Sequence, residues 1–412
     1  MKKINLIVLE VLNCAINKKK FKLDFEISEE DWTEVTQILI KNNLIGVAYD
    51  AKDMFEEQKP MDGLVENVWK SFAMRIGLQQ SISRHSVSEV LRKAEEKGIK
   101  LLVIKGNAIA LLYPNPKMRA SCDADLFVNI EDKEAAIEVL TSCGYHFIEK
   151  GSKENVPVYV KDKVSKIELH NCLWEDYKSE LTDKLDSFRL TDEKTIVSMQ
   201  DGADRFYTLG YEEHLVFQIF HIAKHFSLEG VGLKYICDLS LYVNRYEKEI
   251  NWTSFWKKMK ILHYDLFCDA LFKIAIEYMG MTSKVLNRKY SNRVVDEDLI
   301  EDIIIIGKIG DNDQQPWRAM DKLMPFFLQE SKVPVTRAEK FRSALFPSQM
   351  ELSDYYTYAK KNKALVPVAW IHRIFHSIHY KLNPTLDKET LELKSDKVEH
   401  RMDLMNKAGL NK

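Results

Sequence analysis

The sequence predicts an α+β protein that is mostly helical, with one short α/β unit near its middle. Three observations point this way. Gly and Pro are scarce, 15 and 10 of 412 residues, against a usual ~7% and ~5%, which disfavours linker-rich and all-β chains. Apolar residues recur at helical spacing on both sides of the chain. Between them, residues 99–169 break into apolar runs of strand length. The patterns divide the chain at 1–95, 96–184 and 185–412.

The 1–95 region reads as helices. In 31–42, Trp32, Val35, Ile38 and Leu39 share a stripe. In 84–97, Val87, Val90, Leu91 and Ala94 do the same, and Gly98 stands where a glycine stops a helix. The middle region opens with an apolar strand at 99–104, then Gly106 and a short helix at 107–113. A loop with Pro114 and Pro116 leads to a strand at 123–130. Ala136, Val139, Leu140 and Cys143 mark a helix at 131–143, opened by acidic residues and ended by Gly144. Strands follow at 145–148, 156–160 and 164–169. From about 185 helical spacing returns, at 212–226, 233–246, 252–262, 264–278, 296–306 and 353–361. Residues 310–316 read as a loop, Pro334 and Pro347 bound others, and a charge-rich tail follows Pro384.

Composition narrows the functional classes. Apolar residues are 45% and charged residues 30%, as in a globular protein, and net charge is −2. Such a chain has no general attraction for an anionic membrane, and a long nucleic acid is the least expected partner. The six cysteines lie at least 21 residues apart, with no CxxC pair, and read as free thiols. The N-terminal apolar run is interrupted by Glu10 and Asn13, unlike a signal peptide, and 364–371 is far too short to cross a bilayer. These features read as a cytoplasmic protein with no membrane partner.

The chemistry concentrates in 101–130. Strand periodicity puts Asp123 and Asp125 on one face. Carboxylates at that spacing suit a hard divalent cation, and magnesium takes one or two of them plus substrate phosphates. Two such ions about 4 Å apart can activate an attacking oxygen and stabilise a leaving pyrophosphate. Glu168, in the strand KIELH, is the candidate third carboxylate, and shares its face with His170. An acidic residue in an apolar strand is costly unless paired or bound to metal. Upstream, Lys105, Gly106 and Asn107 join a strand to a helix start, where backbone amides attract phosphate. Lys105 and Arg119 are cationic groups suited either to a triphosphate or to a plain structural salt bridge.

Taken together, the segment resembles the DNA polymerase β-type nucleotidyltransferase superfamily. More narrowly, it is similar to an uncharacterised bacterial nucleotidyltransferase family. That family shows an apolar strand, Lys-Gly, a Tyr-Pro loop, Arg and Asp-x-Asp, here Lys105, Gly106, Tyr113, Pro114, Arg119, Asp123 and Asp125. A later strand carries Glu168 and His170, and residues 220–242 match a helix with His and Lys before an Asp-Leu pair. One departure is Gly106-Asn107 in place of Gly-Ser or Gly-Gly; another is a slightly longer gap from Gly106 to Asp123. The Asn amide can still donate a hydrogen bond.

The resemblance implies a small mixed-sheet nucleotidyltransferase core flanked by N- and C-terminal helical regions. It implies transfer of an NMP from an NTP, expected to be ATP, to a hydroxyl or similar group of a small molecule, peptide or protein. Asp123, Asp125 and Glu168 would be the catalytic metal ligands, for Mg2+ or Mn2+. Lys105, Gly106, Asn107 and Arg119 would hold the nucleotide. The alternative is a non-catalytic nucleotide-binding or helical interaction protein that retains the core.

Other clusters read as structural. His214, His221 and His225 share a helical face without the HExxH arrangement of zinc sites, so packed histidines facing the core are expected. His372, His376 and His379 repeat that pattern. Lys224 and Asp238 are candidates for substrate-side or structural polar groups. Residues 307–310 lack phosphate-loop spacing. The lysines of 18–22 read as a solvated helix end. Trp370, Phe326, Phe327, Tyr355, Tyr356 and Tyr358 read as packing residues.

Overall fold

The computed structural model describes residues 1–305 apart from 55–62, 154–155, 163, 176, 178, 203, 288 and 290–291. Beyond 305 it describes 323–324, 327–328, 356, 358–359, 362–372 and 388–410. The expected helix at 353–361 is therefore only partly described. The features at 307–316, Phe326, Pro334, Pro347, Tyr355, His376, His379 and Pro384 lie outside the described residues.

Two compact units are present, Met1–Leu328 with Met402–Lys412, and Gln329–Arg401. In the second, Tyr356, Ala359, Val366 and Ala369 form a small apolar cluster against which Tyr358 and Trp370 pack. The helix α13 (Lys388–Ala408) spans the end of the described chain.

The larger unit begins with helices α1 (Lys3–Asn17), α2 (Glu29–Lys41), α3 (Ile45–Tyr49) and α4 (Gly63–Glu96). Ser28 and Asp31 cap α2 reciprocally, each side chain accepting from the other's backbone N–H at 3.2 and 2.8 Å. Helix α4 runs well upstream of the expected 84–97. Its early turns bury Trp69 and Ala73 but also expose Leu64, Met74 and Leu78, so their apolar residues do not fall on one face. Its end is as the sequence suggests. Gly98 takes φ +74°, and Gly144 plays the same part after α6 (Lys133–Ser142) with φ +86°.

A seven-stranded mixed sheet follows. Its strands are β1 (Leu102–Ile104), β2 (Ala124–Phe127), β3 (His146–Lys153), β4 (Val156–Lys161), β5 (Ser165–His170), β6 (Val197–Asp201) and β7 (Asp204–Thr208). They stand in the order β3-β4-β5-β2-β1-β7-β6. The β2/β5 and β1/β7 pairs are parallel, and the rest antiparallel. The short helix α5 (Gly106–Ala110) follows β1, and α7 (Glu180–Ser187) follows β5.

The β6–β7 hairpin corrects the expectation of helix alone after 185. Its strands are five residues each, and β6 alternates half-buried with exposed positions. So short an alternation leaves little for a periodicity argument, though the Asp201-Gly202 turn signal was present.

The two sheet faces differ in chemistry. Val103, Ala124, Leu126, Ile167 and Leu169 point to one side and are buried against Val87, Val90 and Ala94 of α4 and Ala136, Val139 and Leu140 of α6. The opposite face carries the polar residues. Helices α8 (Tyr211–Leu228) and α9 (Leu233–Tyr246) approach it through Phe217 and Asp238; α10 (Trp252–Ile261) and α11 (Asp265–Met279) pack on these two, and α12 (Glu297–Ile305) packs on α2. The N-terminal and later helices interlock. Asn42 donates to Ile304 O at 2.9 Å and accepts from Leu233 N at 2.7 Å.

His214, on α8, is 1% exposed and packs edge-on against Tyr242. Burial pulls its pKa down from 6.5 to about 4. A neutral imidazole is thus retained on folding, and the unfolded chain binds the extra proton between those values. Stability is fully present above about 6.5 and falls as pH drops toward about 4, by about 3 kcal/mol. His214→Phe is expected to flatten that part of the acid limb, measured as thermal unfolding temperature against pH. An unchanged slope would remove His214 as its source.

Candidate active site

Strand register gathers the acidic residues. Ile104 stands opposite Asp125 across β1/β2, Asp125 beside Glu168 and Phe127 beside His170 across β2/β5. In adjacent strands, paired residues share a face. Lys166, Glu168, His170, Asp125 and Phe127 therefore project to one side. Asp123 lies one residue before β2 and reaches the group through Lys166. Lys166 Nζ donates to Glu168 Oε1 at 2.6 Å and Asp123 Oδ2 at 3.3 Å.

Asp125 is 7% exposed and is contacted by two cationic or polar groups. Lys105 Nζ donates to its Oδ1 at 2.8 Å, and His170 Nε2 lies 2.9 Å from the same oxygen. Burial alone would raise its carboxyl; Lys105 and His170 outweigh this and hold it well below the usual carboxylate range. Asp123 goes the other way, raised by burial and by repulsion from Asp125 and Glu168. Two neighbouring carboxylates pushed in opposite directions are a common signature of functional sites.

Lys105 carries backbone strain, with φ +57° and ψ −130° in a region that suits glycine. Such a conformation costs about 1–3 kcal/mol. The Asp125 contact and the face of Phe217, 5.8 Å from Nζ, help to hold the side chain there.

Arg119 is 4% exposed and grips Asp238 of α9 with two nitrogens, Nε at 2.8 Å and Nη2 at 2.6 Å. Tyr113 donates to the same carboxylate at 2.7 Å. The Arg and the Tyr-Pro loop are thus tied to the helical wall. Arg119 Nη1 is buried and has no hydrogen-bond partner among the described residues. It faces Gly106: a Cβ there would lie 3.0 Å from Nη1 and 3.1 Å from Ser121 Oγ. The glycine leaves a small polar cradle. Gly106→Ala is expected to destabilise the protein by about 1–3 kcal/mol and to weaken nucleotide binding, read by urea unfolding and ligand-induced thermal shift. Wild-type behaviour in both would show that the cradle is not needed.

Asn107 lies next to Gly106 in the first turn of α5. It lines a cavity of about 220 Å³ between α4 and the β6–β7 hairpin, with Arg84, Asp201 and Arg205 among its neighbours. A second cavity, of about 430 Å³, opens past the end of β5, between Phe127, Asn171, Trp174 and Arg189.

The α8–α9 wall brings residues that the sequence reading weighed differently or passed over. His221 is held well below its ordinary pKa by burial and by Lys105, and so is neutral. Lys234 is lowered by burial and by Arg119, and feels Asp123 as well as Asp238. Lys224 bonds Glu175 at 3.2 Å and His225 bonds Glu229 at 2.8 Å. Lys166 had a visible signal, since it stands two residues before Glu168 on the same strand face. Lys234 lies one turn before Asp238 on α9.

A nitrogen of His170 and one carboxylate oxygen each from Asp125 and Glu168 lie within 4.8 Å of one another. These atoms are of the right kind and spacing for a divalent ion. A family profile described as "Uncharacterised nucleotidyltransferase" matches residues 28–280, more than half of the chain. The protein belongs to this nucleotidyltransferase family. No curated protein matches the chain. Among solved structures, an antigenic nucleotidyltransferase-like protein from Paracoccidioides brasiliensis is 15% identical with a TM-score of 0.32, covering 50% of this chain and 95% of that one. The matched range takes in the whole stretch from Lys105 to Asp238. Among the described residues of this family member, no helix is long and apolar enough to cross a membrane.

Proposed function

We propose that the protein transfers an NMP from an NTP, with ATP expected, to a hydroxyl or similar group of a small molecule, peptide or protein. The observation that carries this reading is the convergence of Asp125, Glu168 and His170 on one sheet face, with Asp123 joined through Lys166. The acceptor oxygen attacks the α-phosphorus, the bond to the β-phosphate oxygen breaks, and pyrophosphate leaves. Glu168 takes the acceptor proton as general base. Asp123, Asp125 and Glu168 would hold Mg2+ or Mn2+, which when bound supplies charge neutralisation at the phosphates. Lys105 and Arg119 Nη1, with the Gly106 cradle, would receive the phosphate oxygens. Asn107, which also lines the cavity beside α4, would contribute its backbone N–H. Six free cysteines accord with a cytoplasmic setting.

The test is thermal unfolding with each NTP, with and without Mg2+ or Mn2+, followed by pyrophosphate release with a cell extract as acceptor source. Metal-dependent stabilisation and release of pyrophosphate are expected. Stabilisation without release would favour a nucleotide-binding protein that retains the core. Absence of both would end the nucleotidyltransferase reading.

A further inference from the structure

His170 stands within hydrogen-bond distance of one site carboxylate and within 4 Å of a second. It is 6% exposed and lies two residues from Glu168 on β5, so both side chains leave the sheet on the same side. Its Nε2 is 2.9 Å from Asp125 Oδ1 and 3.9 Å from Glu168 Oε2. Ligands bonded to one ion at about 2.0–2.2 Å stand about 3 Å apart at adjacent octahedral positions and about 4 Å apart at opposite ones. The two spacings match those separations.

The donor set matters for the choice of ion. Magnesium favours oxygen ligands and retained water, whereas imidazole suits the first-row transition ions and zinc. We infer that His170 is a direct ligand, with Asp125 and Glu168, of a divalent site that takes Mn2+, Co2+ or Zn2+ in preference to Mg2+. This rests on the nucleotidyltransferase reading of the carboxylates and adds the class of ion they hold. The competing role for His170 is as donor of an Nε2–H hydrogen bond that orients Asp125. That role places the nitrogen outside the metal's coordination shell.

The two roles separate spectroscopically. The full chain, stripped of metal by chelation, is loaded with Mn2+ and studied by pulsed electron paramagnetic resonance. Coupling to a directly bound imidazole 14N is expected. Co2+ titration followed by ligand-field absorption supplies a second readout. Loss of even an outer hydrogen-bond partner costs about 10–100-fold in metal affinity. His170→Gln is therefore expected to weaken Co2+ binding at least about tenfold in either role, and the 14N coupling is the readout that tells the two roles apart. The 14N measurement uses the unaltered protein and does not depend on how the variant folds. Mn2+ binding that is lost in Asp125→Asn but shows no 14N coupling would overturn the His170 assignment and leave the nucleotidyltransferase reading standing. Failure to bind Mn2+, Co2+ or Mg2+ with or without ATP would overturn both.

Discussion

Asp125→Asn is expected to abolish divalent-dependent turnover while the protein remains folded. The substitution preserves shape and removes one charge. That charge faces Lys105 Nζ at 2.8 Å and His170 Nε2 at 2.9 Å in a site where Asp125 is 7% exposed. It is also central to the group able to hold a cation. Loss of a preorganised electrostatic group commonly costs on the order of 10²–10³ in rate; loss of a metal ligand should cost at least as much. Leaving Lys105 beside a neutral amide should cost about 3 kcal/mol of stability. The acid response follows from the sign of the shift. Because folding lowers the Asp125 carboxyl, its contribution is present above the unfolded carboxylate range and disappears as pH falls through the folded value. Circular dichroism, urea unfolding against pH and pyrophosphate release measure these effects. Turnover that survives the change would refute the assigned role.

The second large effect concerns Arg119 and Asp238. Both side chains are 5% exposed and bond through two nitrogens to two oxygens. Removing one partner strands the other in a low-dielectric interior, at about 3–5 kcal/mol. Asp238→Asn and Arg119→Met should each show that loss in urea unfolding. The double variant Arg119→Met/Asp238→Leu should recover most of it, because a packed apolar pair replaces a desolvated ionic one. A loss below about 1 kcal/mol for Asp238→Asn would mean that the pair does not anchor α9 to the core.

The legibility of the chain follows the range of the forces involved. Helices α2, α8, α9 and α11 were readable because their apolar stripes are local and long. The polar sheet face was readable because alternation in DADLFVNI and KIELH assigns Asp125, Glu168 and His170 to one side without tertiary information. The neighbourhood of Arg119 was not. Its partner Asp238 is 119 residues away, and no local rule distinguishes an arginine bound to phosphate from one locked in an ion pair. At Asn107 the place at the start of α5 fixes the backbone beside Gly106, but not the direction the side chain takes. The strained Lys105 backbone likewise carries no sequence mark, since the residue there is not glycine.

The position of β7 has a consequence for dissecting the protein. It lies against the edge of β1 not covered by β2, although it comes about a hundred residues later. A fragment ending at 184 would include Asp125, Glu168 and His170 but bare the backbone amides and carbonyls along that edge. Unprotected edges recruit foreign strands. Excised core fragments should therefore self-associate unless extended through Thr208, and their insolubility would be a poor guide to the behaviour of the intact molecule.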